Sequence, residues 1–176
     1  YVRAYSRLNK GSIFIACIPT YCPDLMDNDY NRNEAMERLR KKGLRVVVAD
    51  DVQYNITLIS QYLSKIGAKL VAPALNGEQA FMKWIHLINQ NTPADVIVSD
   101  IDMPIVDGRA LCKQVREYER RNGLNKCFIL LISGNDHEKD IKDLLNPAGE
   151  YRADFFLKKP ITMEEIIDCF AKRFIN

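Results

Sequence analysis

Short runs of branched apolar residues alternate with longer stretches of periodically placed apolar residues from residue 44 onward. A run such as Val46-Val47-Val48 is typical of a buried strand, whereas apolar residues at every third or fourth position are typical of a helix. The pattern therefore predicts five strands that alternate with five helices. The strands are predicted at 44–49, 69–74, 96–99, 127–133 and 154–157, and the helices at 56–66, 78–88, 109–121, 136–145 and after the Thr162–Glu165 capping box.

Regular alternation of strands and helices indicates an α/β domain with a parallel sheet that is covered on both faces. We predict a flavodoxin-like fold in which five parallel strands lie in the order 2-1-3-4-5, with helices on both faces of the sheet. In open sheets of this class, the functional site lies outside the carboxyl ends of the strands. The residues that follow each predicted strand are therefore the first candidates for chemistry.

The first 43 residues do not follow this alternation. Apolar positions around Gly11-Ser12 predict a terminal hairpin within residues 1–20, and residues 21–43 are predicted to be a linker with a short charged helix at 33–42. The α/β domain is then expected at 44–176. A lone two-stranded hairpin is marginally stable and has open edges, so we expect it to pack against a neighbouring molecule, as a homodimer, or onto the domain surface.

The composition is that of a globular protein, with 47% apolar and 27% charged residues in a chain of 176. A formal net charge of +2 without a basic stripe gives no nucleic-acid footprint. Since no apolar run is long enough to span a bilayer, we expect no direct membrane contact. The chain begins at Tyr1 and shows no signal peptide, and we expect a cytoplasmic piece of a longer protein. Five scattered cysteines without a C-x-x-C pair predict buried free thiols.

Four of the five predicted strands end in residues that can carry chemistry. One aspartate after a strand is explained equally well as a turn former. Two acidic tips, a hydroxyl tip and a lysine tip in a single sheet are harder to explain as turns alone. The acidic tips are Asp50-Asp51 and Asp100, the hydroxyl tip is Ser133, and the basic tip is Lys158-Lys159.

The acidic tips predict a cation site, because the first and third strands are neighbours in the predicted order. Unit charges about 4 Å apart repel by about 4 kcal/mol at an effective dielectric constant near 20. A cluster of carboxylates suits Mg²⁺, which prefers oxygen ligands and retains some of its waters. A lysine and a serine beside such an ion would stabilise charge on a phosphoryl group in transit. Asp100 would then be the nucleophile that forms an acyl phosphate.

The same residues resemble the receiver domain of two-component response regulators over residues 44–175. The resemblance rests on Asp50-Asp51, Asp100-x-x-Met103-Pro104, Asp107-Gly108, Ser133 and Lys159-Pro160. Asn55 and the Asn76-Gly77 turn are similar to receivers of hybrid histidine kinases, and Gly11-Ser12-Ile13-Phe14 resembles the last hairpin of a histidine-kinase ATP-binding domain. The resemblance implies that the parent chain is a histidine kinase, which we expect to be anchored in a membrane.

The resemblance also implies roles for individual residues. Asp100 would be the phosphoacceptor, and Mg²⁺, or Mn²⁺ as a substitute, would be held by its carboxylate, by those of Asp50 and Asp51, and by the backbone carbonyl of Asp102. Lys159 would contact the phosphoryl group, and the Lys159–Pro160 bond would be cis. The switch residues would be Ser133 and Phe156.

Partners follow from the same resemblance. The phosphodonor would be a histidine-kinase core or a histidine phosphotransfer protein, and this fragment would catalyse only its own aspartyl phosphorylation. The conformational switch would act on the face made by the fourth helix, fifth strand and fifth helix of the domain. Three departures from the family pattern lie on or near that face: Gly134 after the hydroxyl residue, the extended 146–150 loop, and Arg152 in place of a common glycine.

Three other functions fit parts of the pattern. A degenerate receiver that acts only in protein interaction would be expected to lack an acid or the lysine, yet all are present. A hydrolase of the haloacid-dehalogenase type would share the Asp100-x-Asp102 motif but would lack the acid pair and carry a cap insertion. A flavodoxin-like FMN carrier would need a hydroxyl- and glycine-rich loop where Asp50-Asp51 stands. His86 is expected at the surface, and His137 is a candidate for the rim of the site.

Overall fold

The computed structural model describes residues 2–7, 11–16, 23–134 and 138–175, with side-chain burial for 32–134 and 140–175. The chain divides into two compact units, Tyr1–Asn31 and Arg32–Asn176. Within the described residues, no helix has both the length and the apolar character needed to cross a membrane. Cys17, Cys22 and His137 lie outside the described residues.

The first unit contains an antiparallel pair of strands, β1 (Val2–Arg7) and β2 (Gly11–Ala16). Tyr5 faces Ile13 in the register, and Val2 faces Ala16. The predicted hairpin is therefore present, with Gly11 at the start of its second strand. Its origin in an ATP-binding domain stays a prediction.

The second unit is built on a five-stranded parallel sheet. The strand order is β4-β3-β5-β6-β7, which is the order 2-1-3-4-5 when the strands of this unit are counted from its own first strand. The predicted flavodoxin-like topology is confirmed. The strands are β3 (Arg45–Ala49), β4 (Lys69–Ala74), β5 (Val96–Asp100), β6 (Phe128–Ser133) and β7 (Phe155–Lys158).

Helices cover both faces of the sheet because successive residues of the central strands point to opposite sides. Val46 and Val48 pack in one core with α2 and α6, whereas Val47 packs in the other with α3, α4 and α5. All three valines are fully buried, as the continuous apolar strands predicted. The helices are α1 (Pro23–Lys42), α2 (Gln53–Lys65), α3 (Gly77–Asn89), α4 (Gly108–Asn122), α5 (Glu138–Leu145) and α6 (Met163–Phe174).

Side-chain caps start three of the helices, and the sequence predicted one of these caps. Asn76 accepts from the Gln79 amide at the start of α3, and Thr162 and Glu165 form the predicted capping box of α6. Such caps satisfy backbone N–H groups that have no partner inside the helix. The remaining example, Asp107 at the start of α4, belongs to the candidate site.

The predicted boundary near residue 43 differs from the structure. Helix α1 begins at Pro23 rather than near residue 33, and its residues from Arg32 onward belong to the unit that holds the sheet. Leu39 is only 1% exposed within the core of that unit. The prediction missed this contact because a charged helix with two apolar residues reads as a solvated linker when its packing partners are unknown.

Polar contacts tie the end of α1 to the neighbouring helices. Arg32 donates to both carboxylate oxygens of Asp168 in α6, at 3.0 and 2.8 Å. The Arg40 guanidinium donates to the Lys65 carbonyl at the end of α2, at 3.1 and 2.9 Å. Gly67 lets the backbones approach, since a Cβ there would lie 2.8 Å from the Arg40 Cα. Residues 32–42 are thus an integral layer of the α/β unit.

Three cysteines confirm the expectation of buried free thiols. Cys112, Cys127 and Cys169 are free and buried, and burial raises the pKa of the Cys112 and Cys169 thiols to about 12. The thiolate, which is the reactive form, is therefore suppressed at neutral pH. His86 is exposed on α3, as expected.

Candidate functional site

The acidic strand tips meet at the carboxyl edge of the sheet. Strands β3 and β5 are neighbours, with Ala49 beside Ser99 in the register, so the residues that follow lie side by side. Asp50, Asp51 and Asp100 each place a carboxylate oxygen within 4.8 Å of the others. Asp50 and Asp100 are buried, whereas Asp51 is exposed to solvent. The convergence that the strand order predicted is present.

Lys159 joins the two buried carboxylates. Its Nζ donates to Asp100 Oδ2 at 2.7 Å and to Asp50 Oδ2 at 3.1 Å. The residue lies just beyond β7, where its amide donates to the Ser133 carbonyl at 2.8 Å. The Lys159–Pro160 bond is cis, as the resemblance implied. The lysine therefore reaches the acidic edge from a strand two places away from β5.

Asp50 is held in place by three hydrogen bonds from two donor groups on its own side of the site. Its Oδ1 accepts from the Val52 amide at 2.9 Å. The Asn55 side-chain amide donates to both Asp50 oxygens, at 2.9 and 3.0 Å. The residue pattern alone assigned no role to Asn55, which entered only through a family resemblance. Its spacing of five from Asp50, in the first turn of α2, is the signal that could have indicated a positioning residue.

The Asp107-Gly108 pair closes the loop that follows β5. Asp107 accepts from the Ala110 amide at 2.7 Å and so caps α4. A Cβ on Gly108 would lie only 2.3 Å from the Asp100 carbonyl oxygen. Only glycine therefore allows α4 to begin this close to the end of β5, and the loop 101–107 is held against the site.

The other predicted site residues lie around this cluster. Ser133 is buried at the end of β6, and its Oγ donates to Asp102 Oδ2 at 3.3 Å, while Asp102 is exposed. Phe156 is half-buried in β7 and packs against the core on the α3–α5 side. These positions agree with the predicted placement, and the switching roles of Ser133 and Phe156 stay predictions.

The side chains of the site carry more negative than positive charge. Desolvation raises the pKa of Asp100, and the nearby Asp50 charge adds to that rise, although Lys159 opposes it. Burial alone would lower the pKa of Lys159, but its hydrogen bonds to Asp100 and Asp50 outweigh this effect and the pKa is raised. One ammonium thus faces two buried carboxylates and the exposed Asp51. The excess negative charge favours a bound cation.

We expect Asp100→Asn to be more stable than the native protein at neutral pH without divalent metal. A carboxyl whose folded pKa is raised contributes stability below its unfolded pKa of about 3.9, and that contribution is lost as pH rises through the folded pKa. The gain from Asn should therefore shrink as the pH is lowered toward 4. Urea unfolding across this pH range measures the effect, with Asp143→Asn on exposed α5 as the control. An Asp100→Asn gain that is unchanged or larger at acid pH would contradict the expectation.

Comparisons with known proteins agree with this geometry. Residues 46–171 match the family described as the response regulator receiver domain. The peroxide stress-activated histidine kinase mak1 of Schizosaccharomyces pombe is 30% identical over 149 residues, which cover 79% of this chain and 9% of that kinase. The probable chemotaxis protein CheY of Rhizobium etli is 30% identical over 123 residues, which cover 70% of this chain and 86% of that protein. The chain thus spans under a tenth of the length of the mak1 kinase.

Solved structures share the fold. The CheX-CheY-BeF3-Mg complex of Borrelia burgdorferi has a chain with a TM-score of 0.65 and 22% identity, covering 76% of this chain and 90% of its own. The Saccharomyces cerevisiae co-crystal of the phosphotransfer protein Ypd1 with the Ssk1 receiver domain has a TM-score of 0.61 and 19% identity, with 73% and 87% covered. The family match covers residues 46–171, and the CheY relative is matched over 86% of its own length. The chain therefore belongs to the response regulator receiver domain family.

Proposed function

We propose that this chain is the phosphoacceptor of a phosphorelay, in which Asp100 takes a phosphoryl group from a phosphohistidine. The observation that carries the proposal is the bridge from Lys159 to both Asp100 and Asp50, beside the exposed Asp51. A degenerate receiver has no need to hold a lysine and three acids together. The arrangement supports phosphoryl chemistry because it combines a nucleophile with groups that neutralise charge.

The chemical step needs only groups at this edge of the sheet. A carboxylate oxygen of Asp100 forms a bond to phosphorus as the bond from phosphorus to the donor's imidazole nitrogen breaks. The electron pair of the broken bond goes to the imidazole nitrogen, and the product is an acyl phosphate. Lys159, 2.7 Å from Asp100, offers a positive charge to the phosphoryl oxygens, and Ser133 at the end of β6 offers a hydroxyl. Catalysis of this kind is mainly positioning and charge stabilisation.

The residues fit a hard divalent cation. All candidate donors are oxygens, which Mg²⁺ prefers, and three carboxylates lie close enough to share one ion. The side chains of Asp50, Asp51 and Asp100 and the backbone carbonyl of Asp102 would hold Mg²⁺, with Mn²⁺ as a substitute. The ion would neutralise phosphoryl charge. The Borrelia CheY neighbour, whose complex contains BeF3 and Mg, supports this assignment.

The rim of the site suits a protein donor. Four large apolar side chains are exposed in the segments that follow β3, β4 and β5, at 42–76% of their surface. Exposed apolar side chains that lie in neighbouring segments mark protein interaction sites. We infer that a histidine phosphotransfer protein or a kinase core docks here. The co-crystal of the Ssk1 receiver domain with the phosphotransfer protein Ypd1 supports this inference. The rim residues are Val52, Tyr54, Leu75 and Ile105.

Phosphorylation would be read out through Ser133 and Phe156. Both lie on the side of the site nearest α5, β7 and α6, which together form the proposed output face. Ser133 would move toward the phosphoryl group, and the half-buried Phe156 would follow it inward.

The parent chain would be a hybrid histidine kinase anchored in a membrane, with this receiver in the cytoplasm, and residues 1–20 would be the end of its ATP-binding domain. A homodimer through the hairpin is part of the same proposal.

Beryllofluoride, which mimics a phosphoryl group on aspartate, tests the proposed function directly. We expect saturable changes in the amide NMR signals of Asp100, Ser133 and Phe156 only when Mg²⁺ and beryllofluoride are both present. Asp51→Ala should weaken this response by about tenfold or more, because it removes a charged metal ligand. Lys172→Gln, an exposed change on α6, should leave it unaltered. A protein that stays folded and shows no response would be a degenerate receiver, and the proposal would be wrong.

A further inference from the structure

A second group of charged residues lies away from the acidic site, between α4 and the extended loop that follows α5. A surface groove of about 350 Å³ is lined there by three cations and two acids. Its volume lies within the range of small-ligand sites. Both the loop and the α4 positions are on the face of the sheet opposite to α2 and α6. The lining residues are Lys113, Glu117, Arg120, Gly149, Glu150 and Arg152.

The acids of the groove are already paired, but two of its cations are not. Lys113 Nζ lies 2.5 Å from Glu150 Oε1, which holds the loop against α4. Glu117 is paired with Arg121, one turn further along α4. Among the side chains that the structure describes, Arg120 and Arg152 form no ion pair. The groove therefore presents two uncompensated guanidinium groups.

Arg152 combines an unfavourable backbone conformation with a buried hydrogen-bond donor that has no partner among the described residues. Its φ is +55°, a left-handed conformation that is unfavourable for a residue with a Cβ and easy for glycine. Its Nε is buried and has no hydrogen-bond partner in the described part of the chain. A buried donor without a partner is unfavourable, and a ligand that binds and reorders the guanidinium would relieve it. The backbone at Arg152 does serve the fold, because its carbonyl accepts from Arg116 Nε at 3.0 Å, whereas the unpartnered Arg152 Nε does not.

We propose that this groove binds a small phosphate-bearing molecule through Arg120 and Arg152. Planar guanidinium groups match phosphate oxygens in pairs of hydrogen bonds, and a phosphate group carries a charge of about −1.5 to −2 near pH 7, which two arginines balance. The elements that build the groove are the extended 146–150 loop and Arg152, two departures of this chain from the common receiver pattern. The site does not depend on phosphorylation of Asp100.

Titration with pyrophosphate, followed by amide NMR signals in metal-free buffer, tests this site. We expect saturable shifts at Gly149, Glu150 and Arg152, with the signals of Asp100 and Ser133 unaffected. Sodium chloride at the same ionic strength should produce no saturable shift. Inorganic phosphate should bind at the same signals but more weakly, because it carries fewer acceptor oxygens.

Two variants separate binding from folding. Arg152→Gly removes the guanidinium and suits the left-handed backbone, so it should keep or raise the melting temperature while it weakens pyrophosphate binding by about tenfold or more. Arg120→Gln should weaken binding similarly, and Lys172→Gln on the opposite face should not. Undiminished pyrophosphate affinity in folded Arg152→Gly, or shifts that stay linear with concentration in the native protein, would overturn the proposal. Loss of the beryllofluoride response would bear only on Asp100 and its neighbours.

Discussion

Asp100→Asn is expected to abolish the uptake of a phosphoryl group from acetyl phosphate and Mg²⁺. An amide has nearly the shape of the carboxylate and keeps a hydrogen-bond acceptor for Lys159, so the variant should fold. It lacks the anionic oxygen that must bond to phosphorus. Intact-protein mass spectrometry should show one added phosphoryl group on the native chain and none on the variant. The effect is the largest expected at the site, because no other group can replace the nucleophile without a rearrangement.

Asp102→Asn is the matched control for this result. It sits two residues away and is exposed, and its proposed role uses only the backbone carbonyl, which the substitution retains. We expect its phosphorylation rate to stay within about threefold of native, since only one long, partly exposed hydrogen bond from Ser133 is affected and the Asn amide oxygen can still accept it. If Asp100→Asn is phosphorylated at the native rate and stoichiometry, Asp100 is not the acceptor. If only Asp102→Asn loses uptake, Asp102 is the better candidate.

Leu39→Ala is expected to destabilise the α/β unit by about 2–5 kcal/mol. Leu39 is 1% exposed and packs among residues of the core between the sheet and helices α2 and α6. Truncation would leave a cavity under a helix that Ala35 and Met36 also pack against this core and that Arg32 and Arg40 hold by hydrogen bonds. The change in the free energy of unfolding is measured by urea titration. Arg38→Ala, on the exposed side of the same helix, should change stability by no more than about 0.5 kcal/mol.

Two N-terminal deletions test independently where the domain boundary lies. Removing residues 1–31 should leave the folded unit and its beryllofluoride response intact. Removing residues 1–42 should lower stability by at least as much as Leu39→Ala, because the whole packed layer is lost. Equal stability of the two truncated chains would show that α1 is a dispensable linker, and the boundary near residue 43 would then be right.

The sequence by itself determined the strands, their tips and the main chemistry. Continuous apolar runs such as Val46-Val47-Val48 predict strands well because both of their faces are buried, so the pattern does not depend on any distant partner. The convergence of the acidic and basic tips is predictable from the strand pattern, because parallel strands all end at the same edge of the sheet. Asp50 and Asp100 follow from that rule alone, whereas the choice of Lys159 over Lys158 came from the family resemblance.

Only the tertiary structure decided which polar groups share a buried space. Arg116 looks like one more surface charge of α4 in the sequence, yet it is buried and donates to Glu119 at 2.8 Å, to Asp154 at 2.5 Å and to the Arg152 carbonyl at 3.0 Å. A local pattern cannot show this, since the partners lie up to 38 positions away.

The attachment of α1, the position of Asn55 against Asp50 and the groove at Arg152 were decided in the same way. Arg32, Arg40 and Asn55 each contact a residue of another element, and Arg152 lines its groove together with residues of α4. Hydrophobic periodicity indicates which face of an element is buried. This indication does not depend on which other element that face packs against. Polar side chains are directional and need a particular partner at a particular distance, and that information exists only once the chain is folded.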